Sequence, residues 1–439
     1  MKRFIRRYVA DNASLWGLLE YGCGPLVSLA AVPILFRQLD AEGFGQYAMM
    51  VAVAGFGNVA NLGSAVTATK LVSERLHEPG GARRGAGVAL ALVGCALAAV
   101  VVAVGAAALV LGLAWPRAAF GSTPLYALLP AAMAIYVAQQ IDQLFAGALK
   151  GREDFAATAW CECAGRVAAM ALACAAAWAT HAAIWVALAQ GAGLLLSGMA
   201  KMVVFARRDG RWWVPPVPDR AAMAGAFRFS RWTWLHGVGA LAFGSLDRVV
   251  VGSLMGPAAL ALYTVGMQAG QLVHTASVAV FQKAMPRIRR LSVAPPYPGA
   301  AGDEVRRLMR WNLALSLSAT LALLLAGQPL LALLSGQAHA QGQQLTFDLL
   351  ILASGMLSLN AAAHFSLLGL GNGRAVALLN GVGGVTMLGL MAALFGPVGQ
   401  NAAAIGRIAY AMVTLAGVGL ALRQSRHPLA AAIVPAATR

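Results

Sequence analysis

Charge is scarce in this chain. Only 11% of its 439 residues are charged, and acidic side chains are the scarcer sign, 16 against 33 basic ones, for a formal net charge of +17. The five cysteines (Cys23, Cys95, Cys161, Cys163, Cys174) all lie in apolar stretches, and Cys161 and Cys163 fall on different faces of a helix. That argues against a metal site or a redox pair and for small packing residues. No cleavable leader is expected: the first apolar run, Leu15 to Phe36, is too long for a signal core and lacks a small-residue cleavage site. No folded basic module accompanies the positive charge, so a nucleic-acid partner is not expected. No cofactor motif is present either.

What is there is apolar: 59% of residues, with a mean hydropathy of +0.70. A bilayer span needs about 20 such residues, so a dozen spans use nearly all of them and leave no room for a separate soluble domain. The expected spans are 14–36, 44–66, 86–114, 123–149, 155–179, 182–205, 232–254, 258–282, 311–334, 345–370, 375–396 and 398–422. Lys and Arg gather in alternate gaps: the N-terminal tail, Lys70–Arg84, Lys150–Arg152, Lys201–Arg231, Lys283–Arg310, Arg374 and the tail after Leu422. The intervening gaps hold only Arg37 and Arg117. Loops retained in the cytoplasm collect basic residues, which puts both termini there and makes the span number even. The fold class is therefore an all-α polytopic membrane protein of about 12 transmembrane helices, with membrane lipids, anionic ones included, as its surroundings.

A faint repeat divides the spans. Leu39–Tyr47, between spans one and two, has its echo in Met255–Tyr263, between spans seven and eight; Leu149–Arg152 after span four is echoed by Leu370–Arg374 after span ten. Both offsets are close to half the chain, which argues for two parallel six-helix lobes related by an axis along the membrane normal. The expected organisation is an N-terminal lobe 1–205, a cytoplasmic linker 206–231, a C-terminal lobe 232–422 and a tail 423–439. Arg207, Arg208, Arg211, Trp212 and Trp213 in the linker suit the headgroup layer. Pro295–Pro298 reads as a turn-rich connector.

Ionisable groups within spans are costly and usually face a cavity or a partner. Those expected to line a wet central cavity, or to couple a cation, are Glu20, Asp142, Glu162, Asp247, His274 and Asp348. Three basic residues have no place in the alternating-loop pattern: Arg166, Arg248 and Arg407. Arginine presents a fixed charge and a planar fork suited to phosphate oxygens, so these three are the candidates for an anionic ligand. Glu162 and Arg166 lie four apart on one face, so an intrahelical salt bridge competes with an anion-binding role. Asp247 and Arg248 are adjacent and cannot share a face, so one should reach another helix. Arg407 has no acidic neighbour in its own span, and Glu20 or Asp348 are its expected partners if it pairs. Uncharged polar groups at the same depth include Asn58, Asn61, Gln139, Gln268, Gln271 and Asn360.

These segments resemble the polysaccharide flippases of the multidrug/oligosaccharidyl-lipid/polysaccharide exporter superfamily, which handle O-antigen and exopolysaccharide lipid intermediates. The likeness rests on Leu39–Tyr47, on Asn61–Thr69 closing span two, and above all on Leu246–Tyr263. It implies two six-helix lobes around a cavity that opens alternately to either side of the bacterial cytoplasmic membrane. It implies a polyprenyl-pyrophosphate-linked glycan as cargo, polysaccharide polymerase machinery as an associate, and leaves cation-coupled exchange open. The family carries no invariant constellation, so no residue role is transferred. On this reading Arg166, Arg248 and Arg407 meet the pyrophosphate, and Asn58, Asn61, Gln139, Gln268, Gln271 and Asn360 the sugar. A multidrug or cation exporter of the same superfamily is the nearest rival. A membrane-embedded glycosyltransferase, polymerase or ligase is disfavoured because the longest outside gap, Ser335–Gln344, holds no carboxylate.

Overall fold

A computed structural model describes residues 13–57, 64–115, 119–217, 219–282, 284–293, 299–336 and 342–426. Asn58, Asn61 and all of Pro295–Pro298 lie outside the described residues. The rest is an all-α polytopic membrane protein, with one two-stranded hairpin. Eight of its helices are long and apolar enough to cross a membrane.

The chain begins with α1 (Ala13–Gly57), followed by α2 (Ser64–Glu74) and α3 (Gly81–Ala114). Strands β1 (Ala119–Phe120) and β2 (Thr123–Pro124) precede α4 (Leu125–Gly151), α5 (Phe155–Thr180) and α6 (Ala183–Arg207). Next come α7 (Arg220–Met255), α8 (Pro257–Phe281), α9 (Ala284–Val293), α10 (Ala300–Leu325) and α11 (Gly327–Ser335). The last are α12 (Gln344–Leu359), α13 (Ala361–Gly369), α14 (Gly373–Val398) and α15 (Asn401–Arg426). Every expected span corresponds to one of these helices or to a helix pair.

The boundaries differ where polar chemistry, rather than hydropathy, decides them. Spans one and two share α1, which kinks at Asp40 (φ 58°, ψ −173°) instead of opening into a loop. The Asp40 carboxylate accepts the N–H of Gly43 at 2.9 Å, capping the segment that follows. The stretch 283–310, expected as a connector, instead contains α9 and the first turns of α10. Helix α9 is strongly amphipathic: Ile288 is fully buried while Arg287, Arg289 and Arg290 are exposed. Such a helix hides a few apolar side chains without reaching span-like hydropathy. Helix α7 starts at Arg220, capped by the Asp219 carboxylate on the N–H of Ala222 at 3.0 Å. The linker before it is pinned, with the Val217 N–H donating to the Gly87 carbonyl at 2.9 Å and Arg207 stacked 4.2 Å over Trp212.

The helices pack as two compact units, one of residues 1–265 with 332–339, the other of 266–331 with 340–439. Small residues bring backbones together in the first, as expected where lipid supplies no hydrophobic drive between helices. A β-carbon on Gly147 would overlap the backbone of Ala65, and one on Gly193 the backbone of Ala169.

Candidate functional site

In the first unit, α4, α5 and α6 carry a cluster of buried charge. Lys201 on α6 is wholly enclosed, and its Nζ donates to Asp142 of α4 at 2.6 Å and to Glu162 of α5 at 2.5 Å. Both carboxylates have side chains only 9% exposed. Two glycines allow this reach. A β-carbon on Gly198, one turn before Lys201, would stand 2.9 Å from the Asp142 backbone nitrogen. One on Gly165, three residues after Glu162, would collide with Ser197 of α6. Without side chains at these points the three helices approach until one ammonium spans two carboxylates.

Arg166 borders the cluster and completes its charge balance: two carboxylates, one ammonium, one guanidinium. It lies 3.6 Å from Glu162, yet its side chain remains 44% exposed. The i,i+4 pair foreseen from spacing therefore exists only as a loose contact, because Lys201 has taken Glu162 at hydrogen-bond distance. The guanidinium rests on bare backbone at α1, where a β-carbon on Gly24 would stand 2.7 Å from its Nη1.

Lys201 is the residue that pattern reading missed. It was grouped with the basic cytoplasmic gap 201–231, and the structure corrects this: a lysine at the end of a span can snorkel outward or turn back, and here it turns back. The two acids expected beside Arg407 each make another contact. Glu20 accepts from Lys150 of α4 at 2.6 Å. Asp348 accepts from Gln344, one turn earlier on α12, at 2.7 Å.

Elsewhere in the first unit, Asp247 is completely buried and accepts a hydrogen bond from the Tyr263 hydroxyl of α8. Arg248, its neighbour, points differently; it is half-buried and its Nε makes no hydrogen bond within the protein. Gln139 is half-buried on α4, and the adjacent Gln140 accepts from Ser64 of α2 at 3.2 Å.

The second unit gathers other expected residues. His274 on α8 lies within electrostatic reach of His364 on α13 and Arg407 on α15, and Arg407 acts in turn on Tyr410. The Tyr410 hydroxyl donates to Asn380 of α14 at 3.0 Å. Asn360 sits where span ten breaks into α12 and α13; it is 8% exposed, and its side-chain oxygen has no hydrogen-bond partner. The break frees backbone carbonyls that lipid could not solvate. Asn312 of α10 answers it by donating to the carbonyls of Ser358 at 2.9 Å and Leu359 at 2.8 Å. Gln268 is half-buried, whereas Gln271 is exposed. Among the described residues no three His, Cys, Asp or Glu side chains converge as a metal-ligand set.

Comparison with known proteins follows the same line. Residues 13–292 match the model of a family described as polysaccharide biosynthesis protein. No curated protein sequence matches the chain. Among solved structures, the chain is similar to an inward-facing multidrug resistance MATE family transporter of the MOP superfamily, with TM-score 0.65 and 14% identity over 96% of each chain. It is also similar to an outward-facing MATE family transporter (TM-score 0.56, 13% identity, 94% of each chain). A MATE in complex with MaL6 aligns with TM-score 0.61 and 13% identity over 95% of this chain and 96% of that one. At such identities the likeness establishes the fold alone.

Proposed function

This chain belongs to the polysaccharide biosynthesis protein family, and from that premise we propose that it is a flippase for an undecaprenyl-pyrophosphate-linked oligosaccharide. Its family and its multi-pass helical fold support a membrane transporter. In the proposal it sits in the bacterial cytoplasmic membrane and carries its cargo from the inner to the outer leaflet by alternating access of two six-helix lobes. The product feeds cell-surface polysaccharide synthesis, of O-antigen or exopolysaccharide type, in association with polymerase machinery. Coupling of the cycle to a cation belongs to the same proposal, and it needs an acidic group without a resident counter-ion.

The observation that carries the reading is the state of Arg166. Its acidic neighbour lies 2.5 Å from Lys201 but 3.6 Å from Arg166, and 44% of the arginine side chain stays accessible. An accessible permanent cation within a span favours a pyrophosphate over a cationic drug, because guanidinium pairs with phosphate oxygens through two parallel hydrogen bonds. Arg248 and Arg407 are the further anion-binding candidates in the proposal, with Gln139, Gln268, Gln271 and Asn360 for sugar hydroxyls and apolar helix faces for the polyprenyl tail.

The test is removal of the protein from its host, followed by leaflet-resolved measurement of lipid-linked glycan. Accumulation in the inner leaflet is the expected result. An unchanged distribution, with altered sensitivity to cationic drugs, would replace the flippase reading with that of a multidrug exporter.

A further inference from the structure

We propose that Asp142 and Glu162 form a cation site whose resident cation is the chain's own Lys201, and that this tethered ammonium bars Na+ and other small free cations from it. The inference concerns the ion and not the cargo, so it stands apart from the flippase reading.

The arrangement has the dimensions of an ion site. Two carboxylates from different helices close on one positive centre at 2.6 and 2.5 Å, similar to the about 2.3–2.6 Å at which oxygen ligands hold Ca2+. Nothing of the Lys201 side chain is exposed, and each acid is 9% exposed, so water does little of the screening. The enclosure is also built into the helix packing, since Gly198 and Gly165 admit the close approach of α6 to α4 and α5 that the geometry requires.

Charge then excludes a second occupant. With Arg166 alongside Glu162, the two carboxylates already face two cations. Adding Na+ would leave an uncompensated charge in a buried site, which is costly. A covalent tether also keeps the ammonium from leaving with a change of state. These two acids therefore hold three helices together and take no part in exchanging a coupling ion. Any cation that drives transport must bind elsewhere.

The full-length protein in nanodiscs tests this by thermal unfolding in NaCl against choline chloride at equal ionic strength. The wild type should unfold at the same temperature in both. Lys201→Ala should unfold several degrees lower in choline and recover, saturably, with Na+ or with methylammonium, a free analogue of the lost ammonium. Adding Asp142→Asn and Glu162→Gln to that variant should abolish the recovery. A folded Lys201→Ala protein indifferent to both cations would overturn the proposal. Should Lys201→Ala not fold, equilibrium binding of radioactive Na+ to the wild type and to Asp142→Asn decides the matter. Equal binding supports a filled site, and Na+ binding that Asp142→Asn removes overturns it.

Discussion

Gly45 of α1 lies directly against the carbonyl of Pro257, the first residue of α8, so closely that no β-carbon fits between them. The same seam includes Gly252 of α7, where a β-carbon would collide with Met49, and Gly121 of the hairpin turn, where one would stand 3.0 Å from the Pro257 ring. Hydrogen bonds fasten the hairpin to α1. The Ser122 N–H donates to Glu42 at 2.5 Å, the Thr123 hydroxyl to Gln46 at 2.8 Å, and Gln46 to the Ser122 hydroxyl at 3.1 Å. The two segments that meet, 39–47 and 255–263, are the ones whose sequences echo each other. The alternating-loop pattern leads us to expect these segments on the outside.

Gly45→Val should therefore hold the seam apart. Overpacking of this kind costs about 1–3 kcal/mol, read as a fall in unfolding temperature. A cysteine placed at Ser122 should at the same time become more reactive to a membrane-impermeant maleimide added from outside. Unchanged stability and labelling would mean that the backbone accommodates the side chain without opening.

Lys201→Met should destabilise the first unit by about 3–5 kcal/mol, the usual cost of stripping the counter-ion from buried charge. Combining it with Asp142→Asn and Glu162→Gln should restore most of the loss, since the enclosed charges go together and the one that remains, Arg166, is 44% exposed. Unfolding in denaturant, compared across the wild type, the single and the triple variant, checks both halves.

Gly198→Ala adds one methyl where α6 meets the Asp142 backbone. A cost of about 1–3 kcal/mol is expected, with Lys201 drawn back from Asp142. Pairing the change with Asp142→Asn should show coupling, because both act on the same contact. Strict additivity in a double-mutant cycle would count against the link.

Arg166→Ala, Arg248→Ala and Arg407→Ala should each reduce transport of lipid-linked sugar while membrane insertion persists. A charge-assisted hydrogen bond is worth about 1.5–3 kcal/mol, or roughly 10- to 150-fold in affinity. Arg166→Lys should recover only part of the activity, since an ammonium lacks the planar fork. Full activity of all three alanine variants in a complementation assay would remove the pyrophosphate reading.

Asn312→Ala leaves the Ser358 and Leu359 carbonyls at the α12–α13 break without their donor. Each buried unsatisfied group costs about 1–3 kcal/mol, so the second unit should unfold measurably earlier. Hydrogen exchange should quicken around Asn360 first, because that is where the helix is already interrupted.

The membrane class and the helical segments were legible in the sequence, because hydropathy is a property of the chain read in one dimension. Asp247 and Arg248 illustrate how far local geometry reaches: adjacency on a helix forced them apart, and Asp247 meets Tyr263 of the next helix. Partnership was not legible. Glu162 and Arg166 had the spacing of a salt bridge, yet Glu162 binds Lys201, thirty-nine residues away in the chain, and leaves Arg166 accessible. Lys201 itself carried no signal, since a lysine at a span's end is equally suited to lipid headgroups and to a buried acid. Only the close packing of α4, α5 and α6 through Gly165 and Gly198 brought two carboxylates within reach of one ammonium. Sequence alone determined which segments form apolar helices, because transfer energy is local; tertiary structure decided which charges are spent on each other, because electrostatic pairing depends on distances that only helix packing sets.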